Sequence, residues 1–247
     1  MAYLALNHRF RVTAADPKVI AKAIRALSSL DQVADHDDDH IYELGAGLSV
    51  DGLIQTLNIA AAEATTDAVL LHAAGLVDDS GKVAALLGSS GAGKTTLCTT
   101  LLRDTELRYL SDETVPVNPA DLTVAAYPKP LTLKVGSHAR FPEFEGSGET
   151  LWNIEPERVR RDSVGRGGRL AVVVTPRYEA GAATRQRALT PGELVIAMAE
   201  NSSYLLHHDE PLGTLASIAK RVKGCELVYD DAHEAAPLVV SLLASAR

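Results

Sequence analysis

The 247-residue chain holds two cysteines, Cys98 and Cys225, which make no disulfide framework and no CxxC pair. Aromatic residues make up 4%, with a single tryptophan, so a base-stacking nucleic-acid surface is not expected. A basic excess is missing too. Twenty-four Lys and Arg stand against 32 Asp and Glu, and the resulting net charge of −8 argues against a general nucleic-acid binder. No apolar run approaches the roughly 18–20 residues of a membrane span, so no membrane partner is expected. The opening MAYLALNHRF has no basic stretch ahead of an apolar one; a secretory leader is not expected and the cytoplasm is the default location.

What is present is an ordinary globular composition, 46% hydrophobic and 23% charged, long enough to close a core without staples. Residues 1–50 read as a small β-rich portion: a strand at 10–13, a helix at 19–30, a polar turn at 31–40, and strands at 41–44 and 48–50. His36 and His40, set among Asp35, Asp37, Asp38 and Asp39, read as a solvated turn. Residues 51–247 read as the main α/β domain. Leu53, Ile54, Leu57, Ala61 and Ala64 recur at helical spacing and lead into the apolar run 68–77, long enough for a buried strand. Asp78, Asp79, Ser80 and Gly81 make a turn into a second strand at 82–87.

That second strand runs into Gly88-Ser89-Ser90-Gly91-Ala92-Gly93-Lys94-Thr95, followed by Thr96 and a helix over 95–103. This is the G-x-x-x-x-G-K-[ST] phosphate-binding loop in its required strand–loop–helix setting. Glycines let the backbone curl so that successive N–H groups face phosphate oxygens, and the positive end of the helix dipole faces the same anion. Lys94 is the group to reach the β- and γ-phosphates and Thr95 the hydroxyl to ligate Mg²⁺, which makes ATP and Mg²⁺ the expected cofactors.

A short strand at 107–111 then ends in Asp112-Glu113. Either this pair is a solvated turn, or one carboxylate holds Mg²⁺ while the other accepts a proton from an attacking hydroxyl. His72 lies in the apolar run, on the strand paired with the one that feeds the loop, and reads either as a core histidine or as part of a site. Further candidates to touch phosphate or substrate are Lys129, Lys134, and Arg158, Arg160 and Arg161 from an arginine-rich stretch that reads either as a mobile lid or as a solvated basic loop.

Taken in order, His72-Ala73-Ala74-Gly75, the loop, Tyr109-Leu110-Ser111-Asp112-Glu113 and Pro128-Lys129-Pro130-Leu131-Thr132-Leu133-Lys134 resemble the HPr kinase/phosphorylase-like family. The resemblance spans 68–135 and continues more weakly from 169. It implies a P-loop domain similar to the HPr kinase and phosphoenolpyruvate carboxykinase nucleotide domains, and an ATP-dependent kinase acting on a seryl or other hydroxyl group. It casts Asp112 as general base, His72 as its orienting neighbour, Lys94 and Thr95 as phosphate and Mg²⁺ holders, and Glu113 as a further metal ligand. Where the family usually has two aspartates, this chain has Asp112-Glu113. The namesake enzymes are longer, with a separate N-terminal domain, and carry a Glu-x-Arg-Gly stretch that neither Gly148-Glu149-Thr150 nor Glu155-Pro156-Glu157-Arg158 matches. The compact form is instead similar to HPr kinase-like tailoring enzymes that phosphorylate a serine of a precursor peptide, so a hydroxyl-bearing peptide, protein or small molecule is the expected partner, with a homo-oligomer left open.

Two other classes compete. One is a nucleotide-binding switch without catalysis. The other is an ABC-type ATPase, suggested by the acidic motif at Asp209-Glu210. Against the latter, His207-His208 interrupts the strand that should carry Asp209, and Leu189-Thr190-Pro191-Gly192-Glu193 reads as a helix start rather than as a transporter signature.

Overall fold

A computed structural model describes residues 2–145, 150–202 and 210–246. Near the N-terminus, β1 (Ala2–Ala5), β2 (His8–Ala14), α1 (Pro17–Ala26), β3 (Asp31–Val33) and β4 (His40–Leu44) build a four-stranded sheet in the order β3-β1-β2-β4 with one helix. Asp16 starts α1 by accepting the Lys18 N–H, and Pro17 occupies the first turn, where its missing N–H costs nothing. In the acidic turn before β4, Asp39 is buried and accepts the His36 N–H and the Arg9 Nε–H, and these bonds hold its carboxyl below the usual range.

The strand expected at 48–50 is not formed. Ser49 instead accepts the Gly52 N–H (3.1 Å) as the N-cap of α2 (Val50–Ala64), so these residues are a helix entry. The buried face of α2, Leu53, Ile54, Leu57 and Ala61, packs with Phe10, Leu27 and Tyr42 of the N-terminal sheet and with Tyr127 further along the chain.

The apolar run 68–77 is two strands rather than one: β5 (Val69–Leu71) and β6 (Ala73–Val77), broken at His72 because each half has a different neighbour. β5 pairs with β9 (Val115–Val117), whereas β6 pairs with β7 (Lys82–Leu87) on one side and β8 (Arg108–Ser111) on the other. α3 (Lys94–Asp104) lies between β7 and β8, and β10 (Thr123–Ala125), β11 (Leu131–Lys134), α4 (Val135–His138), β12 (Leu151–Ile154) and α5 (Pro156–Val159) follow. The chain then forms β13 (Gly167–Tyr178), β14 (Arg185–Leu189), α6 (Pro191–Glu200), α7 (Pro211–Ala219), β15 (Lys223–Tyr229) and α8 (Ala232–Ala244). A capping box of Thr190 and Glu193 opens α6, as the sequence suggests.

Among the described residues these strands form a nine-stranded mixed sheet, ordered β5-β9-β10-β13-β7-β6-β8, with β15 beside β13 and β14 beside β15; β11 and β12 pair separately. One face packs against α3 and α8 through Leu86, Leu97, Leu101, Val174 and Val239, the other against α6 and α7 through Leu87, Val173, Leu194, Met198 and Leu215. Strands β7, β13 and β15 run parallel, and β8, antiparallel to β6, runs the same way as β7. Their C-terminal ends therefore meet at one edge of the sheet, the edge where open α/β sheets gather their functional loops. Among the described residues no helix is long and apolar enough to cross a membrane.

Leu86, with 0% of its surface exposed on the central β7, tests this core. Leu86→Ala is expected to cost about 2–5 kcal/mol in urea unfolding, by lost burial and a residual cavity.

Candidate active site

The turn from β7 into α3 is the Gly88–Thr95 loop. Gly91 and Gly93 sit at φ +91° and +92°, a region that L side chains rarely adopt. Gly93 has a second reason to be glycine. It is the N-cap of α3, its carbonyl accepts the Tyr229 hydroxyl (3.0 Å), and a Cβ there would overlap that same oxygen. The Ala92 carbonyl accepts the Tyr178 N–H (3.2 Å). The ends of β13 and β15 thus hold the outer side of the loop.

Lys94, 6% exposed, folds back over the loop and donates to the Gly88 and Ser89 carbonyls at 2.6 and 3.0 Å. Its ammonium is also 3.1 Å from His72 Nε2. His72 Nδ1 lies 3.1 Å from the Glu113 carbonyl, which can only accept, so Nδ1 carries the proton and Nε2 accepts from Lys94. Burial, reinforced by the Lys94 charge, lowers the His72 pKa, and burial likewise lowers that of Lys94. From the opposite wall Lys134, at the end of β11, donates to the Ser90 hydroxyl, and the Thr96 hydroxyl is 2.7 Å from that of Ser137.

Asp112 and Glu113 emerge from β8 beside the loop but in different settings. The Asp112 carboxylate is 0% exposed; both oxygens are 3.1 Å from Thr95 Oγ1, which donates to them, and one accepts the Thr132 N–H (3.2 Å). Burial raises its pKa against the pull of Lys129. Glu113 sits at φ +74° in a tight turn closed by the Ser111 hydroxyl on the Thr114 carbonyl, and this turns its side chain outward. Its carboxylate pairs with the buried Lys129 ammonium at 2.9 Å. Burial acts to raise the Glu113 pKa, but the Lys129 charge and hydrogen bond outweigh it and the net shift is downward.

These groups border a cavity of about 340 Å³, lined by His72, the loop, Glu113 and Lys134, and continuing over Gly136, Ser137, Arg140, Tyr178 and Tyr229. Asp112 lies just behind Thr95. All-oxygen donors, the Thr95 hydroxyl with the two carboxylates, suit a hard divalent cation such as Mg²⁺. The three arginines are not brought here. Arg160 is tied to the Leu102 and Leu107 carbonyls, Arg158 lies by Glu155 and over the Phe144 ring, and Arg161 is exposed outside the cavity lining. Lys129 acts from beneath, through Glu113. The histidines and aspartate at 207–209, and Gly146, Gly148 and Glu149, lie outside the described residues.

Sequence reasoning missed Arg140, Tyr178 and Tyr229. The tyrosines carry a usable signal, since each closes a strand parallel to β7 and so shares its edge. Arg140 follows a four-residue helix and had none.

No protein-family model and no curated protein sequence matches the chain. Among solved structures it is similar to the Hpr(Ser) kinase/phosphatase from Coxiella burnetii, at 12% identity over 71% of this chain and 93% of that one, with a TM-score of 0.37. This is a remote likeness of fold, and nothing about the site follows from it.

Two predictions follow from the loop and its histidine. Gly93→Ala is expected to destabilise the chain in urea by more than the roughly 1–2 kcal/mol of a left-handed L-residue, since the Tyr229 hydroxyl is also in the way; adding Tyr229→Phe should recover part of the loss. Because the folded pKa of His72 lies below its unfolded value of about 6.5, the unfolded chain binds the extra proton, and stability should fall as pH drops below about 6.5. His72→Gln should flatten that part of a urea-midpoint profile.

Proposed function

We propose that the chain is an ATP-dependent kinase that transfers the γ-phosphoryl group in line to a hydroxyl acceptor, a seryl side chain of a peptide or protein being the leading class. The observation that carries this reading is the meeting, at one cavity, of the Gly88–Thr95 loop and its lysine with the Thr95–Asp112 pair and the outward-facing Glu113. The polyphosphate lies along the loop N–H groups. Lys94 exchanges the Gly88 and Ser89 carbonyls for phosphate oxygens, and Lys134 adds positive charge from the other wall. Thr95, Asp112 and Glu113 are the residues to hold Mg²⁺, which when bound neutralises charge on the β- and γ-phosphates.

The acceptor oxygen attacks the γ-phosphorus, the bond to the β–γ bridging oxygen breaks, and ADP leaves with that electron pair. The hydroxyl proton passes to a carboxylate. Glu113 is better placed than Asp112 to receive it, because it lines the cavity with a side chain 39% exposed while the Asp112 carboxylate is sealed beneath Thr95 and Thr132. Asp112 then serves to fix the Thr95 hydroxyl and the metal, and His72 to orient Lys94 and the Glu113 turn.

The test uses γ-labelled ATP, Mg²⁺ and a panel of seryl peptides, free serine and an HPr protein, with label transfer scored apart from free phosphate. Lys94→Ala is expected to abolish transfer. Glu113→Gln should slow it by about 10²–10⁴-fold with binding of metal-free ATP nearly intact, and Glu113→Gln and Asp112→Asn should each weaken Mg²⁺-ATP binding as the loss of a metal ligand. Wild-type rates in Glu113→Gln would move the proton acceptor to Asp112. ATP binding without transfer on the whole panel would favour a nucleotide switch, in which the Asp112 and Glu113 variants leave partner binding unchanged.

A further inference from the structure

The sheet order places β7 between β13 on one side and β6 and β8 on the other. The loop after β7 therefore separates two flanks of the cavity. On the β6/β8 flank stand His72 and Glu113, joined to each other. On the β13 flank stand Tyr178 and Arg140, also joined to each other, which the chemistry proposed above leaves unused. A nucleotide whose γ-phosphate points to Glu113 must lead its sugar and base away toward the β13 flank.

Tyr178 is the last residue of β13 and 40% exposed, yet its position is fixed. Its N–H is bonded to the Ala92 carbonyl of the loop, and its ring meets that of Tyr229 edge-on, with centroids 6.2 Å apart at 70°. Tyr229 is in turn locked to the Gly93 carbonyl. The Tyr178 ring is thus braced from the sheet side. Over its face lies the exposed Arg140 guanidinium, 5.0 Å from the ring centroid, with Nη2 donating to the Tyr178 hydroxyl at 3.1 Å. A guanidinium and a nucleobase are both flat and both stack on aromatic faces, so the surface that holds one suits the other.

We propose that Tyr178 and Arg140 form the nucleobase subsite of this cavity: the purine ring stacks on Tyr178, and the Arg140 guanidinium, on its flexible stem, moves aside to cover the purine's outer face. This inference rests on the nucleotide reading of the loop. The stack adds affinity for the base alone and touches no phosphate oxygen. It therefore gives the cavity a means to prefer a nucleoside triphosphate over inorganic polyphosphate.

Equilibrium titration with Mg²⁺-ATP and, separately, with Mg²⁺-tripolyphosphate separates the two ideas. Wild type is expected to bind ATP more tightly than tripolyphosphate. Tyr178→Ala should weaken ATP by about tenfold or more, in keeping with base–aromatic stacking, and leave tripolyphosphate affinity unchanged. Tyr178→Phe should keep ATP affinity, while Arg140→Ala, a change at the surface, should weaken ATP by about threefold and again spare tripolyphosphate. Equal loss of ATP and tripolyphosphate in Tyr178→Ala would show that the ring only braces the loop, and unchanged ATP affinity in both alanine variants would show that the base lies elsewhere; either result overturns the subsite and leaves the kinase reading standing. If wild type binds neither ligand, the nucleotide reading fails and takes the subsite with it.

Discussion

A carboxylate with no exposed surface has to be answered from within the protein, and Asp112 is answered from three directions. Thr95 donates from the first turn of α3, the Thr132 N–H donates from β11, and the Lys129 ammonium lies near enough to oppose the desolvation that raises the Asp112 pKa. Thr95 sits on α3, Thr132 on β11 and Lys129 on the connection into β11, so satisfying one charge fixes the end of β8, the start of α3 and the small β11–β12 sheet relative to one another. Lys129 is itself 2% exposed and must be paired, which its bond to Glu113 achieves. The outward face of Glu113 and the buried seat of Asp112 are two consequences of one charge balance.

Around this balance the two layers of helices do unequal work. α3 and α8 cover the face that carries the loop helix, and their packing through Leu97, Leu101 and Val239 holds the N-terminus of α3 at the sheet edge. α2 reaches the site differently. Its Asn58 accepts the Thr114 hydroxyl (2.9 Å) just after Glu113, and its Asp51 accepts from Asn153 of β12 (2.8 Å). The helix that completes the N-terminal core therefore also touches the turn that aims Glu113.

Much of the site could be read from the residues because its key parts are local. The loop is contiguous, its strand and helix are adjacent to it, and Asp112-Glu113 follows after one helix and one strand. The break of the run 68–77 at His72 was not legible, since Val69, Leu70 and Leu71 are as apolar as the residues after them; only the choice of β9 for one half and of β7 with β8 for the other divides them. Residues 48–50 failed for the opposite reason, where a single capping hydroxyl outweighed a β-like pattern. The arginine stretch reads as functional by density of charge, but Arg160 is held by the Leu102 and Leu107 carbonyls, more than 50 positions away, which no spacing reveals.

The bond between the Tyr229 hydroxyl and the Gly93 carbonyl joins residues 136 positions apart. A chain emerging from the ribosome presents the loop sequence long before β15 exists to grip it, and closing so large a loop is an entropic cost met only when β13 and β15 pair. Until then the glycines at 91 and 93 leave the segment free to sample many shapes. Synthesis of this protein thus carries its own delay: the contact that braces Gly93 forms only with the docking of β15, late in the order of translation.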